Sequence, residues 1–211
     1  NNSLAKSGET VTLDISVNEH INTPSISFSS DSQTITGPIT ITGENDSYTA
    51  QFGVNASDKD GPVSFTISNL SDLAGNLLSD VTALTSGTTV TIDKTAPSLS
   101  TVTLQSNNNE NTDFAKSGDS VQLTITANED ITTPQVQITS GDVSVNNAIS
   151  VNGTGQNYTA SYTVSSSDVS GSVAFIIENY TDLAGNAGPT VKTTTDSSNV
   201  TVDLVLSLIH I

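Results

Sequence analysis

Val121-Gln122-Leu123-Thr124-Ile125-Thr126-Ala127 alternates apolar and polar side chains without a break. Successive side chains of an extended strand point to opposite faces. Val121, Leu123, Ile125 and Ala127 therefore line one buried face, and Gln122, Thr124 and Thr126 line the other. The pattern also stands 110 residues earlier, where Val11, Leu13, Ile15 and Val17 share one face.

Shifting the chain against itself by 110 residues extends that match without a gap. Ala5-Lys6-Ser7-Gly8 falls on Ala115-Lys116-Ser117-Gly118, and Asn18-Glu19 on Asn128-Glu129. Pro24 falls on Pro134, Tyr48-Thr49-Ala50 on Tyr158-Thr159-Ala160, and Asp58 on Asp168. Asp72-Leu73-Ala74-Gly75-Asn76 recurs as Asp182-Leu183-Ala184-Gly185-Asn186, and Val90-Thr91-Ile92-Asp93 as Val200-Thr201-Val202-Asp203. About 37 of about 95 aligned pairs are identical. A period of this length is one whole domain, since solenoid and propeller units are shorter.

Further short strands are expected at Val136/Ile138, Ile149/Val151, Tyr158–Val164, Val173–Ile177 and Val200–Val202, with Val102/Leu104 opening the second unit. Seven short strands separated by Gly, Asn, Asp and Ser turns predict an all-β chain of two tandem immunoglobulin-like Greek-key β-sandwiches. There is no Cys and no Trp, which excludes the antibody branch with its disulfide and buried Trp. The aromatic core load falls to Phe65, Phe175, Tyr48, Tyr158, Phe52 and Tyr162.

Composition narrows the function. The 211 residues carry 22 acidic and 5 basic side chains, a formal charge of −17. A phosphate backbone needs clustered Lys and Arg, so no nucleic-acid partner is expected. Close-set carboxylates instead attract cations. Without Cys there is no disulfide, no thiol catalysis and no thiolate metal site. No stretch approaches the roughly 20 apolar residues of a membrane span, so no membrane insertion is expected. The sequence shows neither an initiator Met nor a signal peptide, which reads as a fragment of a larger protein.

The expected boundaries are 1–93 for the first sandwich, 94–98 for an extended linker and 99–205 for the second sandwich. Pro97 fixes its own backbone and biases Ala96 towards an extended conformation, so the connector Asp93-Lys94-Thr95-Ala96-Pro97 is expected to be short and stiff, as in a rod. Asn1 aligns with Asn111, so the first unit lacks the strand that Val102 and Leu104 give the second. Leu206-Ser207-Leu208-Ile209-His210-Ile211 matches the translation of a transposon end used in sequencing libraries and reads as adapter read-through in 206–211.

The Asp-Leu-Ala-Gly-Asn pentapeptide admits two interpretations. Asp at its first position and Gly at its fourth suit a type I turn. Alternatively, Asp182 and Asn186 supply oxygen ligands to Ca²⁺. Topology bears on the choice, because the loop after the second strand, carrying Asn128, Glu129 and Asp130, returns to the pole where the chain arrives. The Asp182–Asn186 loop returns there too, and Asp93 lies in the arriving connector. These carboxylates and an amide oxygen approach the six to eight ligands of Ca²⁺ once backbone carbonyls or water are added. In the first unit Glu19, Asp72 and Asn76 repeat the set. His20 replaces the counterpart of Asp130, and a weaker site is expected there. Asp58, Asp60 and Asp168 fall at the opposite pole, where solvated turns are expected. Catalysis has little support: His20 stands without a recurring Ser or Asp partner, and no phosphate-binding Gly loop or zinc motif appears. Asn157-Tyr158-Thr159 fits a glycosylation pattern that has meaning only in a eukaryotic secretory pathway.

Val90-Thr-Ile-Asp-Lys-Thr-Ala-Pro97, the two Asp-Leu-Ala-Gly-Asn loops and the Asn-Glu pairs resemble the bacterial Ig-like repeats of giant secreted adhesins of Gram-negative bacteria. Such repeats occur in biofilm-associated and RTX-type adhesins, and the resemblance covers residues 1–205. It implies type I secretion, an extracellular surface filament, and calcium near domain junctions. By matching position, the implied ligands are Asp93, Glu129, Asp182 and Asn186.

Two functional classes follow. A passive spacer would have neighbouring repeats of the same polypeptide as its partners and extend an adhesive tip from the cell. A ligand-binding module would recognise a glycan, a host protein or another biofilm component, and should expose aromatic side chains on loops. Here the Tyr and most Phe residues fall in strand-like stretches, with Phe114 the main exception. An accessory domain of a secreted polysaccharide-degrading enzyme is a third possibility.

Overall fold

The computed structural model describes residues 3–205, so the hexapeptide read as adapter sequence lies outside the described residues. The chain divides between Thr95 and Ala96 into two compact units. Each is an immunoglobulin-like sandwich, and there is no helix among the described residues.

In the first unit the strands are β1 (Leu4–Ala5), β2 (Thr10–Ser16), β3 (Ser25–Ser30), β4 (Gln33–Thr34), β5 (Ile39–Glu44), β6 (Ser47–Gly53), β7 (Gly61–Ser68) and β8 (Thr91–Ile92). They form one sheet in the order β1-β8-β7-β3-β4 and a second in the order β2-β6-β5. In the second unit they are β9 (Leu99–Ser106), β10 (Phe114–Ala115), β11 (Ser120–Ala127), β12 (Gln135–Ser140), β13 (Val143–Ser144), β14 (Ser150–Thr154), β15 (Asn157–Thr163), β16 (Gly171–Glu178) and β17 (Thr201–Val202). Their sheets run β10-β17-β16-β12-β13 and β14-β15-β11-β9. The second set is the two-sheet order of a Greek-key immunoglobulin domain. In the first unit β2 has one strand neighbour, β6, where its counterpart β11 has two, β15 and β9.

The alternation that defines β11 does what period two requires. Val121, Leu123 and Ile125 are wholly buried, and they face a core with Val102, Leu104, Ile138, Phe175, Ile177 and Val202. Val11, Leu13 and Ile15 take the same places in a separate core with Phe28, Phe52, Ile67 and Ile92. Five of the six expected core aromatics are buried, and Phe65 is partly so. Phe28 and Tyr180 are buried as well, although no core role was expected of them. The ring of Phe28 stacks tilted on Phe52, with centroids 4.8 Å apart.

Two of the core tyrosines are anchored through their hydroxyls. Tyr158 donates to the carbonyl of Ile131 at 2.7 Å, and Tyr48 to that of Ile21 at 3.0 Å. Each bond ties a central strand to the segment that follows β11 or β2. Those are the segments carrying Glu129 and Glu19.

Candidate metal centre

In the second unit two loops meet at one pole. Ile131 bridges to Asp182 in antiparallel fashion, and Thr132 donates its N–H to the carbonyl of Thr181 at 2.8 Å. Leu99, Ser98 and Asn128 join the same pole: Ser98 donates to Asn128 Oδ1 at 2.7 Å, and the Asn128 N–H donates back to the Ser98 carbonyl at 3.0 Å. The expected convergence of Glu129 with the Asp182–Asn186 loop therefore has a backbone basis. One carboxylate oxygen of Glu129 and one of Asp182 lie within 4.8 Å of each other.

The pentapeptide loop is a self-bonded turn. Asp182 Oδ1 accepts the N–H of Asn186 at 2.8 Å, and its Oδ2 accepts the Asn186 side-chain amide at 2.8 Å. Gly185 donates to the Asp182 carbonyl at 3.2 Å, and the Asp182 N–H donates to the Asn186 carbonyl at 3.1 Å. Asp72 and Asn76 repeat all four bonds in the first unit, with side-chain distances of 2.8 and 2.6 Å. The amide and N–H of Asn76 hold the Asp72 carboxyl below its ordinary range. The backbone N–H groups of Ala74 and Gly75 also bond the Asp72 carboxylate, so the turn holds it on several donors at once.

The donor chemistry fits a hard cation. Glu129 and Asp182 are the residues of the second unit that would hold such a cation. The Asp130 carboxylate lies over Gly155, where an added Cβ would meet Oδ1 at 3.1 Å. In the first unit Glu19, Asp72 and Asn76 line one shallow cleft with Val17, Ile21 and Leu70. His20 is exposed. Asp93 follows β8, and its N–H donates to the carbonyl of Ala5 at 2.9 Å.

The opposite pole corrects an expectation. Asp58 and Asp168 are buried locks, not solvated turn residues. Asp168 Oδ2 accepts the Ser165 N–H at 2.8 Å, while Oδ1 accepts both the N–H and the side-chain amide of Asn146, at 2.9 and 2.8 Å. Asp58 accepts the Asn55 N–H at 2.8 Å. Asp60 holds the start of the connector: its Oδ2 accepts from Thr95 Oγ1 at 2.8 Å and from the Lys94 N–H at 3.2 Å. The Lys94 ammonium also pairs with Asp60 and donates to the carbonyls of Ala56 and Asp58. Sequence spacing could not reveal these roles, because the partners lie up to 38 residues away along the chain.

No protein-family sequence model matches the chain, and no curated protein does. Solved structures of tandem immunoglobulin domains do. A three-domain titin structure, I67–I69, matches with 14% identity over 95% of this chain and 62% of its own, at a TM-score of 0.46. The titin I9–I11 tandem matches with 10% identity over 96% of this chain and 62% of its own, at 0.44. The mouse nectin-like molecule 4 ectodomain matches with 16% identity over 98% and 64%, at 0.39. The chain thus spans less than two thirds of each of these structures. Its fold assignment rests on the sheet order and cores described above.

Proposed function

We propose that this chain is a pair of non-catalytic spacer repeats from an extracellular bacterial surface adhesin, and that bound calcium stiffens the array of repeats. The observation that supports a spacer over a ligand-binding module is the fate of the aromatic side chains. All four Tyr are at most 4% exposed, and among the five Phe only Phe114 is exposed. Sugar recognition uses aromatic faces on loops, and here those faces are spent inside the two cores. The acidic loops are spent on turns and buried locks, which suits a structural role.

Calcium in this proposal binds the Glu129, Asp182 and Asn186 pole of the second unit, and more weakly the Glu19, Asp72 and Asn76 cleft of the first. The ion would supply the positive charge that close carboxylates lack. This chain's part is to hold Asp182 in a fixed turn and to present Glu129 beside it. Isothermal titration with Ca²⁺ and Mg²⁺ tests this directly. Calcium-selective binding that Asp182→Asn abolishes is the expected result, with Asp93→Asn and Asp130→Asn reporting whether those carboxylates take part. No heat with calcium removes the metal from the proposal. Saturable binding of a glycan or a host matrix protein would replace the spacer with the ligand-binding alternative.

A further inference from the structure

The single Asn-Gly pair of the sequence, Asn152-Gly153, lies in β14. An Asn followed by Gly can modify itself, because glycine has no side chain to shield its backbone nitrogen from the asparagine amide carbon. Both residues are exposed. β14 is the edge of its sheet, with β15 on one side and no described strand on the other.

The direction of the Gly153 N–H follows from the pairing. The Ala127 N–H donates to the Gln156 carbonyl at 2.8 Å, so 127 and 156 are bonded partners. Bonded pairs alternate along an antiparallel ladder, and Ile125 with Tyr158 is the next. Tyr158 thus spends its backbone groups on β11, while Asn157 and Thr159 direct theirs to Thr154 and Asn152 of β14. Gly153 stands opposite Tyr158. Its N–H therefore points out of the open edge of the sheet, away from β15.

The glycine is fixed by the hairpin and the asparagine is not. Gly153 has φ 137°, and an added Cβ would meet the Asn157 carbonyl oxygen at 2.2 Å. Gly43 repeats this in the first unit, with φ 114° and the Ser47 carbonyl oxygen at 2.2 Å. There the preceding residue is Thr42, whose side chain has no carbonyl carbon to attack. The single Asp-Gly pair of the sequence is a second contrast, since Thr95 and Lys94 hold the Asp60 carboxylate in place. The Asn152 amide is tethered at the surface, where its Nδ2 donates to Ser150 Oγ at 2.9 Å.

We propose that Asn152-Gly153 is a self-modification site at which the second repeat ages by deamidation. When β14 opens, the Gly153 nitrogen gives its proton to hydroxide or water and bonds to Asn152 Cγ. The Cγ–Nδ2 bond breaks, Nδ2 takes up a proton from water, and ammonia leaves. The cyclic succinimide that results then takes up one water. Cleavage at its side-chain carbonyl gives aspartate, and cleavage at its backbone carbonyl gives isoaspartate. The balance is one water in and one ammonia out, with no oxidant and no enzyme. In the paired strand, the extended backbone and the Ser150 tether keep Cγ from the Gly153 nitrogen. Ring closure therefore waits on opening of the edge. Isoaspartate lengthens the main chain by one carbon, so β14 can no longer bond Asn157, Thr159 and Ser161 in a single register. The reaction needs only water and holds whether or not the chain is a spacer.

The test incubates the whole chain at neutral and at mildly alkaline pH, beside a free peptide of residues 148–158. Peptide mapping by mass spectrometry and an isoaspartate methyltransferase assay follow both. Asn152 should be the first Asn converted, giving aspartate and isoaspartate, and faster at the higher pH. It should react about tenfold or more slowly than the free peptide, because closure waits on opening. Asn152→Thr should abolish the isoaspartate signal, and Ser150→Ala should raise the rate severalfold. In the aged chain the amides of Asn157, Thr159 and Ser161 should exchange faster, while those of Tyr158 and Ala160, which face β11, keep their protection. Asn152→Asp carries the new charge without the longer backbone and should leave those amides protected. An intact Asn152 after about a hundred half-lives of the free peptide overturns the proposal. Conversion of another Asn ahead of Asn152 does the same.

Discussion

Asp182 spends both carboxylate oxygens on Asn186, one on its backbone N–H and one on its amide. The turn half of that pentapeptide was legible in the sequence, because Asp and Gly at fixed offsets carry their own local geometry. The role of Asp168 was not, since Asn146 meets it only after the sheets have folded. Burial pushes the Asp168 carboxyl up, but the N–H groups of Asn146 and Ser165 and the Asn146 amide outweigh it and hold the group below its ordinary value. A depressed folded-state value gives stability that is present above the unfolded value and lost as pH falls through the folded one. Asp168→Asn should therefore lower second-unit stability by about 1–3 kcal/mol at neutral pH. That deficit should shrink below about pH 4, where the unfolded carboxyl takes up its proton. Thermal midpoints of both proteins at pH 7 and pH 3 give the comparison, and an equal gap at both contradicts it. Gly188 carries a second prediction. A Cβ there would meet the Tyr180 ring at 2.0 Å, while that ring's hydroxyl is fixed to the Pro189 carbonyl at 2.9 Å. Gly188→Ala should cost roughly 1–3 kcal/mol by overpacking, measurable by urea titration. The first unit has Leu70 and Leu78 at these positions, so its smaller core residue leaves room for a larger neighbour.

At the scale of elements, β11, β12, β15 and β16 follow from period two and from turn residues between them. A strand was expected at Val200–Val202, where β17 lies, but the two-residue strands β1 and β10 and the parallel pairing did not show, because two residues hold no period. They are specified by pairing: Leu4 lies parallel to Thr91 and Ala5 to Ile92, as Phe114 does to Thr201 and Ala115 to Val202. This switches the chain from one sheet to the other and brings Asp93 beside Ala5. Beyond it, Lys94 and Thr95 are tied to the 56–60 loop by Asp60 and two carbonyls. Burial raises the Asp60 carboxyl, and the bonds from Thr95 and Lys94 more than reverse that, leaving it below its ordinary value. Lys94→Ala removes the ammonium from this set. The amides of residues 94 and 95 should then exchange faster while β6 and β7 keep their protection. Unchanged exchange at 94 and 95 would show that Thr95 and the backbone suffice.

At the scale of the molecule, one sequence pattern has been written twice and closes two separate cores. Among the described residues the two are not equally covered. The second core counts Val102 and Leu104 among its wholly buried members, and the first has β2 at an open edge in the place they would cover. Val11, Leu13 and Ile15 are 5–9% exposed, where Val121, Leu123 and Ile125 are at zero. Burying two such side chains is worth roughly 2–5 kcal/mol by area, an upper estimate because unfolded chains already bury some surface. Domain stabilities are only about 5–15 kcal/mol, so a difference of that size should separate the two unfolding events. Calorimetry should accordingly show two transitions, with the first unit melting at the lower temperature. Assignment follows from a substitution confined to one core: Leu104→Ala, at a cost of about 2–5 kcal/mol, should pull only the upper transition down. If Leu104→Ala moves the lower transition instead, the open edge of β2 costs the first unit less than its missing neighbour suggests, and the order of stability is reversed.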